Sequence, residues 1–365
     1  MSKLVFGGDA VIETSDIDPS VRPIVEMTDT LLSKKRSSQG EIIVTLFEHC
    51  NLSCKFCNQD HDSEVGMDNI RGKAQDVIKA IQLLKKMRKE TFSIHFMGGE
   101  VFQDRFTEAQ YVEYLLLVLD VRDFCEMMGY PVEFVFVSNL VHFNTQAVKS
   151  LIDTLNASGA KTTLGTSYDP SMRFSAKDLI IFAKNLEIYR DYISVVNIVL
   201  TAPNIRKFLT GNIPHFDFIY EHFDVFFDYY TPEANHEQMS PKDHELRDMF
   251  VFLTDNYPKA HPITGWMTSE TNAMSCQSTY TIQPDGRAGR CTILLNNFQK
   301  EVAPKTAGEM EHEFITKMDC LSCEYFSRCG LGCFLQQHFN GPNRTMNDCW
   351  MKDVHKKISE VNSVR

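Results

Sequence analysis

Between residues 41 and 230 the chain alternates short apolar, β-rich runs with longer stretches whose apolar residues recur every three or four positions. Six runs have strand length: Ile42–Phe47, Phe92–Met97, Val132–Val137, Thr162–Thr166, Ser194–Leu200 and Asp224–Tyr229. Helical spacing is clearest in Ala74–Met87, Tyr111–Met128, Gln146–Leu155 and Lys177–Tyr189. Strands alternating with helices imply right-handed βαβ units and a parallel sheet. Six such units are fewer than a closed eight-stranded barrel needs, so the pattern predicts an α/β fold with an open or partial barrel.

Polar groups gather just past each strand. Glu48, His49 and Cys50 follow the first, Gly98, Gly99 and Glu100 the second, and Ser138 and Asn139 the third. Ser167, Tyr168 and Asp169 follow the fourth, Thr201 the fifth, and Tyr229, Tyr230 and Thr231 close the sixth. In parallel barrels these strand ends form the active-site face. The pattern divides the chain into a cap segment at 1–40, a barrel at 41–231, a proline-punctuated bridge at 232–265 and a cysteine-rich region at 266–365.

Composition narrows the class. A chain of 365 residues, 43% hydrophobic and 23% charged, holds one large domain and a smaller one. A net charge of −11 argues against a nucleic-acid backbone as the main partner. The first ten residues lack the basic and apolar regions of a signal peptide, and no apolar run reaches membrane-spanning length. A cytoplasmic location without membrane attachment is therefore expected, where paired cysteines suggest metals rather than disulfides.

The eleven cysteines carry the most specific chemistry. Cys50, Cys54 and Cys57 form a C-x3-C-x2-C run directly after the first strand. Three thiolates on one loop ligate three irons of a [4Fe–4S] cube and leave the fourth open. A zinc site would need a fourth ligand such as His49 or His61, at spacings unusual for zinc. Cys125, inside a helical segment, reads as a small buried hydrophobe.

This triplet, with Phe56 before its last cysteine, resembles the radical S-adenosylmethionine (SAM) superfamily, whose fold is a partial (β/α)6 TIM-type barrel. Met97-Gly98-Gly99-Glu100 is similar to that family's motif at the methionyl amino group of SAM, where glycines let backbone approach a ligand. By the same resemblance Ser138, Asn139 and Ser167 contact ribose and carboxylate, and Arg173 neutralises the SAM carboxylate. Cys276, Cys291, Cys320, Cys323, Cys329, Cys333 and Cys349 resemble the C-terminal SPASM domain, which carries two auxiliary iron–sulfur clusters. The resemblance implies Cys320, Cys323, Cys329 and Cys349 for an outer cluster. Cys276, Cys291 and Cys333 fall to an inner one, with one iron left to substrate, water or a carboxylate such as Glu270. The implied cofactors are SAM and three [4Fe–4S] clusters, with flavodoxin or ferredoxin as electron donor.

The resemblance points to hydrogen abstraction from a peptide or protein: crosslinking, epimerisation or oxidation. Formylglycine-forming relatives carry an aspartate after the cysteine matching Cys291; Thr292 stands here and argues against that reaction. About forty residues before the first strand are too few for a leader-binding winged helix, so a peptide substrate would need a separate recognition protein or none. Oxidation or epimerisation of a small molecule such as an amino sugar is the rival, and a non-catalytic iron–sulfur carrier a third reading. On the substrate side His95, Tyr168, Asp228, Tyr229 and Tyr230 lie near strand ends and could orient substrate or move a proton. For Tyr229 and Tyr230, inside an aromatic run, packing is the simpler role.

Overall fold

The computed structural model describes residues 38–57, 59–211, 213–230, 237–268, 279–289, 314–325, 329 and 349–364, together with two strands near the N-terminus. Those two, β1 (Lys3–Phe6) and β2 (Ala10–Glu13), pair antiparallel as their own small sheet. The large sheet begins with β3 (Gln39–Thr45), β4 (Thr91–Met97), β5 (Val132–Ser138), β6 (Thr162–Ser167), β7 (Ile193–Leu200) and β8 (Asp224–Tyr229). All six are parallel and neighbour one another in chain order.

Helices fill the crossovers: α1 (Lys73–Lys86), α2 (Glu108–Met128), α3 (Thr145–Ala157), α4 (Ala176–Ile188), and the pair α5 (Ala202–Leu209) and α6 (Phe216–His222). The sheet curls into a half-barrel, the partial TIM-type architecture the pattern predicts. Alternation within each strand separates two environments. Phe92, Ile94 and Phe96 of β4 are buried towards the helices, where Phe96 packs on Phe134 and Phe136 of β5. Ser93 and His95 occupy the opposite, concave face.

The sheet holds two strands more than the six-run pattern predicts. β9 (Thr279–Ile282) adds parallel to β3, and β10 (Ala288–Gly289) pairs antiparallel with β9. This short hairpin carries little periodic signal, because its pairing partner lies more than two hundred residues away. Lys73 pins it. The buried Nζ donates to the carbonyls of Gln283 (3.1 Å) and Pro284 (2.7 Å) in the hairpin turn. Lys73→Met is expected to leave both acceptors unpaired and to cost about 1–3 kcal/mol. Faster amide exchange confined to β9 would report it; unchanged exchange would contradict the pin.

Past β8, α7 (Asp243–Asn256) and α8 (Ile263–Met267) receive α9 (Trp350–Val364) from the chain's end. Trp350, Met351, Val354 and Ile358 form the buried stripe of α9. Phe250 stacks on Trp350 at 5.4 Å, and Asn362 Nδ2 donates to Met267 O at 3.0 Å. Among the described residues no helix is long and apolar enough to cross a membrane.

Candidate active site

The loop after β3 carries Cys50, Cys54 and Cys57, and the loop after β4 holds it by backbone contacts. Leu46 N donates to Met97 O (2.8 Å), Gly99 N to Phe47 O (2.8 Å) and Glu100 N to His49 O (3.0 Å). Gln103 Nε2 adds a bond to the same His49 carbonyl at 3.0 Å. A Cβ on Gly98 would lie 2.2 Å from Phe47 O, and one on Gly99 would lie 1.7 Å from His49 O. The glycines are therefore required by the cysteine loop itself. Gly98 and Gly99 lie against the backbone of residues 47–49.

Glu100 is fully buried and ties the second strand end to the third. Its carboxylate accepts from Phe102 N (2.8 Å), Ser138 Oγ (2.7 Å) and Asn139 N (2.6 Å). The Ser138 hydroxyl thus faces inward and also accepts from Leu140 N at 3.0 Å. Asn139 is aimed at the cysteine loop: Nδ2 donates to Asn51 Oδ1 at 2.8 Å and lies 3.8 Å from Cys50 Sγ. Asn51, which the sequence reading did not single out, closes the bracket by donating to Val141 O at 2.5 Å. Ser167 ends β6, half-buried and in register with Asn197.

The three thiols share one neighbourhood. Burial pushes the Cys50 thiol up to about 12, and Glu100, Cys54 and Cys57 push the same way against a bond from Leu52 N. Burial also raises Cys54, with Arg173 pulling it down and Cys57 and Asp169 opposing. Such thiols become thiolate ligands only when a cationic metal group compensates. Among the described residues no three His, Cys, Asp or Glu side chains gather as ligands of a single ion. Three mutually felt thiols on a pinned loop, with no fourth cysteine beside them in the loop sequence, fit the open-cornered cube.

In the tail, burial raises the Cys320 thiol strongly, with Cys329, Cys349 and Cys323 each adding to the effect. The four cysteines assigned by resemblance to the outer cluster are thus brought together. Cys276, Cys291, Cys333, Glu270 and Thr292 lie outside the described residues. Cys125 is fully buried on α2, as its reading as a small hydrophobe requires.

The substrate-side candidates separate sharply. Tyr168 does not join the site: it is buried against Phe182 of α4, and its hydroxyl donates to Pro214 O. Tyr229 packs on Phe250 and Trp350, and Tyr230 is buried. His95 and Asp228 remain on the concave face. His95 Nε2 lies 3.0 Å from Ser93 Oγ and 3.6 Å from Glu41 Oε1, while Glu41 Oε2 accepts from Thr279 Oγ1 at 2.8 Å. Burial pushes Asp228 up to about 7, with the charges of Glu41 and Asp169 adding to it. Glu41 sits on the first barrel strand and Asp228 on the last; only barrel curvature brings them within electrostatic reach, and no sequence signal linked them.

Two fold comparisons bear on this arrangement. The structure of native anSMEcpe with bound AdoMet superposes with a TM-score of 0.58 at 14% identity, over 88% of this chain and 99% of that one. The fold is that of the radical SAM enzymes. Streptococcus suis SuiB bound to precursor peptide SuiA gives a TM-score of 0.52 at 16% identity, over 93% of this chain and 83% of that one. No family model and no curated protein matches the sequence. In this chain the pinned cysteine loop follows the end of β3, on the face the polar residues mark.

Buried carboxyls give this site a pH signature. Burial pushes Glu100 up to about 7 against its three hydrogen bonds and the charge of Arg173, and Asp228 stands equally high. Both hold protons in the folded chain where an unfolded chain has released them. Their contribution to stability is complete below the ordinary carboxylate range and is lost as pH rises to about 7. Urea-unfolding midpoints of the metal-free chain are expected to fall through that window, and Asp228→Asn to flatten part of the slope. Midpoints rising through the window would contradict the assignment.

Proposed function

We propose that this chain is a radical SAM enzyme that abstracts hydrogen from a peptide or protein substrate. The observation that carries the reading is the cysteine loop: the start of the loop that carries Cys50, Cys54 and Cys57 is locked to Gly98-Gly99-Glu100 by two backbone bonds, to Phe47 O and His49 O, and by two glycines that admit no side chain. Cys50, Cys54 and Cys57 would hold a [4Fe–4S] cluster that passes one electron from an external donor to SAM, whose carbon–sulfur bond then breaks to give methionine and a 5′-deoxyadenosyl radical.

Each residue has a task in that reading. Cys50, Cys54 and Cys57 hold the cluster, with Phe56 flanking it. Gly98, Gly99 and Glu100 shape the methionyl end of the pocket, and Asn139 and Ser167 face SAM. Ser138 acts through Glu100, because its hydroxyl is already engaged there. Cys320, Cys323, Cys329 and Cys349 hold an outer auxiliary [4Fe–4S] cluster; Cys276, Cys291 and Cys333 hold an inner one that binds substrate or accepts an electron. His95 and Asp228 line the concave face where substrate would sit. Flavodoxin or ferredoxin would deliver the electron, and the cytoplasm supplies both.

A peptide substrate is favoured by the shared fold with SuiB, whose structure holds a precursor peptide. Crosslinking, epimerisation and oxidation all begin with the same abstraction. Anaerobic reconstitution followed by assay of 5′-deoxyadenosine from SAM tests the proposal. No 5′-deoxyadenosine from an iron-loaded chain would overturn it in favour of an iron–sulfur carrier.

A further inference from the structure

Four buried polar atoms stand unpaired where the loop from β5 to α3 meets the end of α4. They are Nδ1 and Nε2 of His142, Oδ1 of Asn144 and the hydroxyl of Tyr189, and none has a hydrogen-bond partner among the described residues. His142 is 1% exposed and Tyr189 is fully buried. The centre of the His142 ring lies 5.7 Å from that of Tyr189, and Phe102 closes another side at 6.2 Å. Asn144 has no freedom to reverse its amide: Nδ2 donates to Gln103 O (3.1 Å), an atom that only accepts, and to Tyr111 OH. Its Oδ1 is left as an acceptor without a donor.

The loop backbone around these atoms is well satisfied. Asn185 Nδ2 donates to Leu140 O (2.8 Å) and His142 O (2.7 Å), and Asp104 Oδ1 accepts from Phe143 N (2.7 Å) and Asn144 N (3.1 Å). Val141 N donates to Asn139 Oδ1 at 2.8 Å, and Val141 O accepts from Asn51. The loop is anchored from several directions, so its side chains are held in place. Burial pushes His142 down to about 4, with Asn144 and the charge of Asp104 opposing. The ring is therefore neutral at pH 7 and carries one donor and one acceptor nitrogen. A buried polar atom left unpaired costs more than a typical hydrogen bond contributes, so four in one place call for a ligand.

We propose that His142, Asn144 and Tyr189 enclose a binding site for two ordered water molecules that join the β5–α3 loop to the end of α4. The two nitrogens of one imidazole point apart, so one molecule cannot bridge both. One water spans a ring nitrogen and Asn144 Oδ1; the other spans the second nitrogen and the Tyr189 hydroxyl. Water both donates and accepts, so it serves either nitrogen whichever carries the proton, and each molecule finds the two polar partners that a buried water needs. A cation suits the set poorly: one ring nitrogen presents a proton to it, and among the described residues no three His, Cys, Asp or Glu side chains gather as ligands. The same loop carries Asn139, which donates to Asn51 Oδ1 beside Cys50, so the waters brace that contact from the helix side. The site does not depend on the proposed reaction.

Amide hydrogen exchange of the reconstituted chain tests the site, read by mass spectrometry on peptides spanning residues 140–144. The amides of Leu140, Val141, Phe143 and Asn144 all donate to side chains, so their exchange reports opening of this loop. Tyr189→Phe removes only the hydroxyl. With water bound, loop exchange is expected to rise about fivefold, the loss of one hydrogen bond. In a dry chamber the same change removes an unsatisfied group, and exchange unchanged or slowed would overturn the proposal. His142→Leu is expected to speed exchange further. Tyr189→Phe added to His142→Leu should then change it less than Tyr189→Phe does alone, because the shared water is already lost. Additive effects would overturn the shared water. Should His142→Leu fail to fold, a crystal structure of the reconstituted wild-type chain decides beside Tyr189→Phe: two solvent peaks within hydrogen-bond distance of the four atoms are expected. Direct bonds among the side chains, or exchange that slows when potassium replaces sodium, would overturn the assignment to water.

Discussion

Gly99→Ala is expected to abolish cluster loading at the cysteine loop and to destabilise the chain by at least about 3 kcal/mol. The added Cβ would sit 1.7 Å from His49 O, 2.2 Å from His49 C and 2.4 Å from Glu48 O. All of these neighbours are backbone, so no rotamer change relieves the contact. Either the cysteine loop lifts away from β4 or the bonds from Gly99 N and Glu100 N to Phe47 O and His49 O break. In both cases Cys50, the residue after His49, leaves its place beside Asn139. Iron content after reconstitution and thermal unfolding of the metal-free chain measure the two effects. Gly286→Ala, at a turn glycine with open space around its Cβ, serves as the contrast: its φ of 86° brings strain without a clash, so iron loading should survive. Equal iron loading in Gly99→Ala and wild type would show that the loop is not pinned as described.

Replacing Cys50, Cys54 and Cys57 together by alanine is expected to reduce 5′-deoxyadenosine formation from SAM to background. It should also remove about four irons per chain while sparing those held in the tail. The separation is physical. The three thiols lie on the loop between β3 and α1, whereas Cys320, Cys323 and Cys349 cluster with Cys329 near α9, which packs on α7 and α8. The substituted thiols are buried or half-buried, so alanine leaves small cavities and no stranded charge, and the chain should remain folded. Iron and sulfide analysis beside product assay distinguishes the outcomes. Loss of all iron would mean that the tail clusters depend on the first; full SAM cleavage in the variant would remove the cysteine loop from the mechanism.

The six barrel strands and four of the intervening helices were legible because each is a local pattern repeated over several residues. Phe92, Ile94 and Phe96 face one side of β4 regardless of what happens elsewhere. Cys50, Cys54 and Cys57, together with Gly98, Gly99 and Glu100, were legible for a related reason: each set lies within a few residues, so spacing alone restricts its chemistry. Tyr168 shows where that logic stops. It follows a strand like the others, yet its ring turns into the helix layer and its hydroxyl engages Pro214, forty-six residues on. Proximity to a strand end gives a side chain's address and not its direction.

By itself, then, the sequence determined the alternation of strands and helices, the cysteine loop at the first strand end and the glycine pair at the second. These depend on local spacing and on steric rules that act within a few residues. Tertiary structure alone decided that the β9–β10 hairpin joins the barrel edge under Lys73, and that Glu41 and Asp228 share the concave face. It alone decided that the glycines make room for residues 47–49, and that Arg173, paired with Asp169, lies against Phe56. Each of these joins distant segments through hydrogen bonds, charge or curvature, which arise only once the sheet has curled into its half-barrel and which no local pattern encodes.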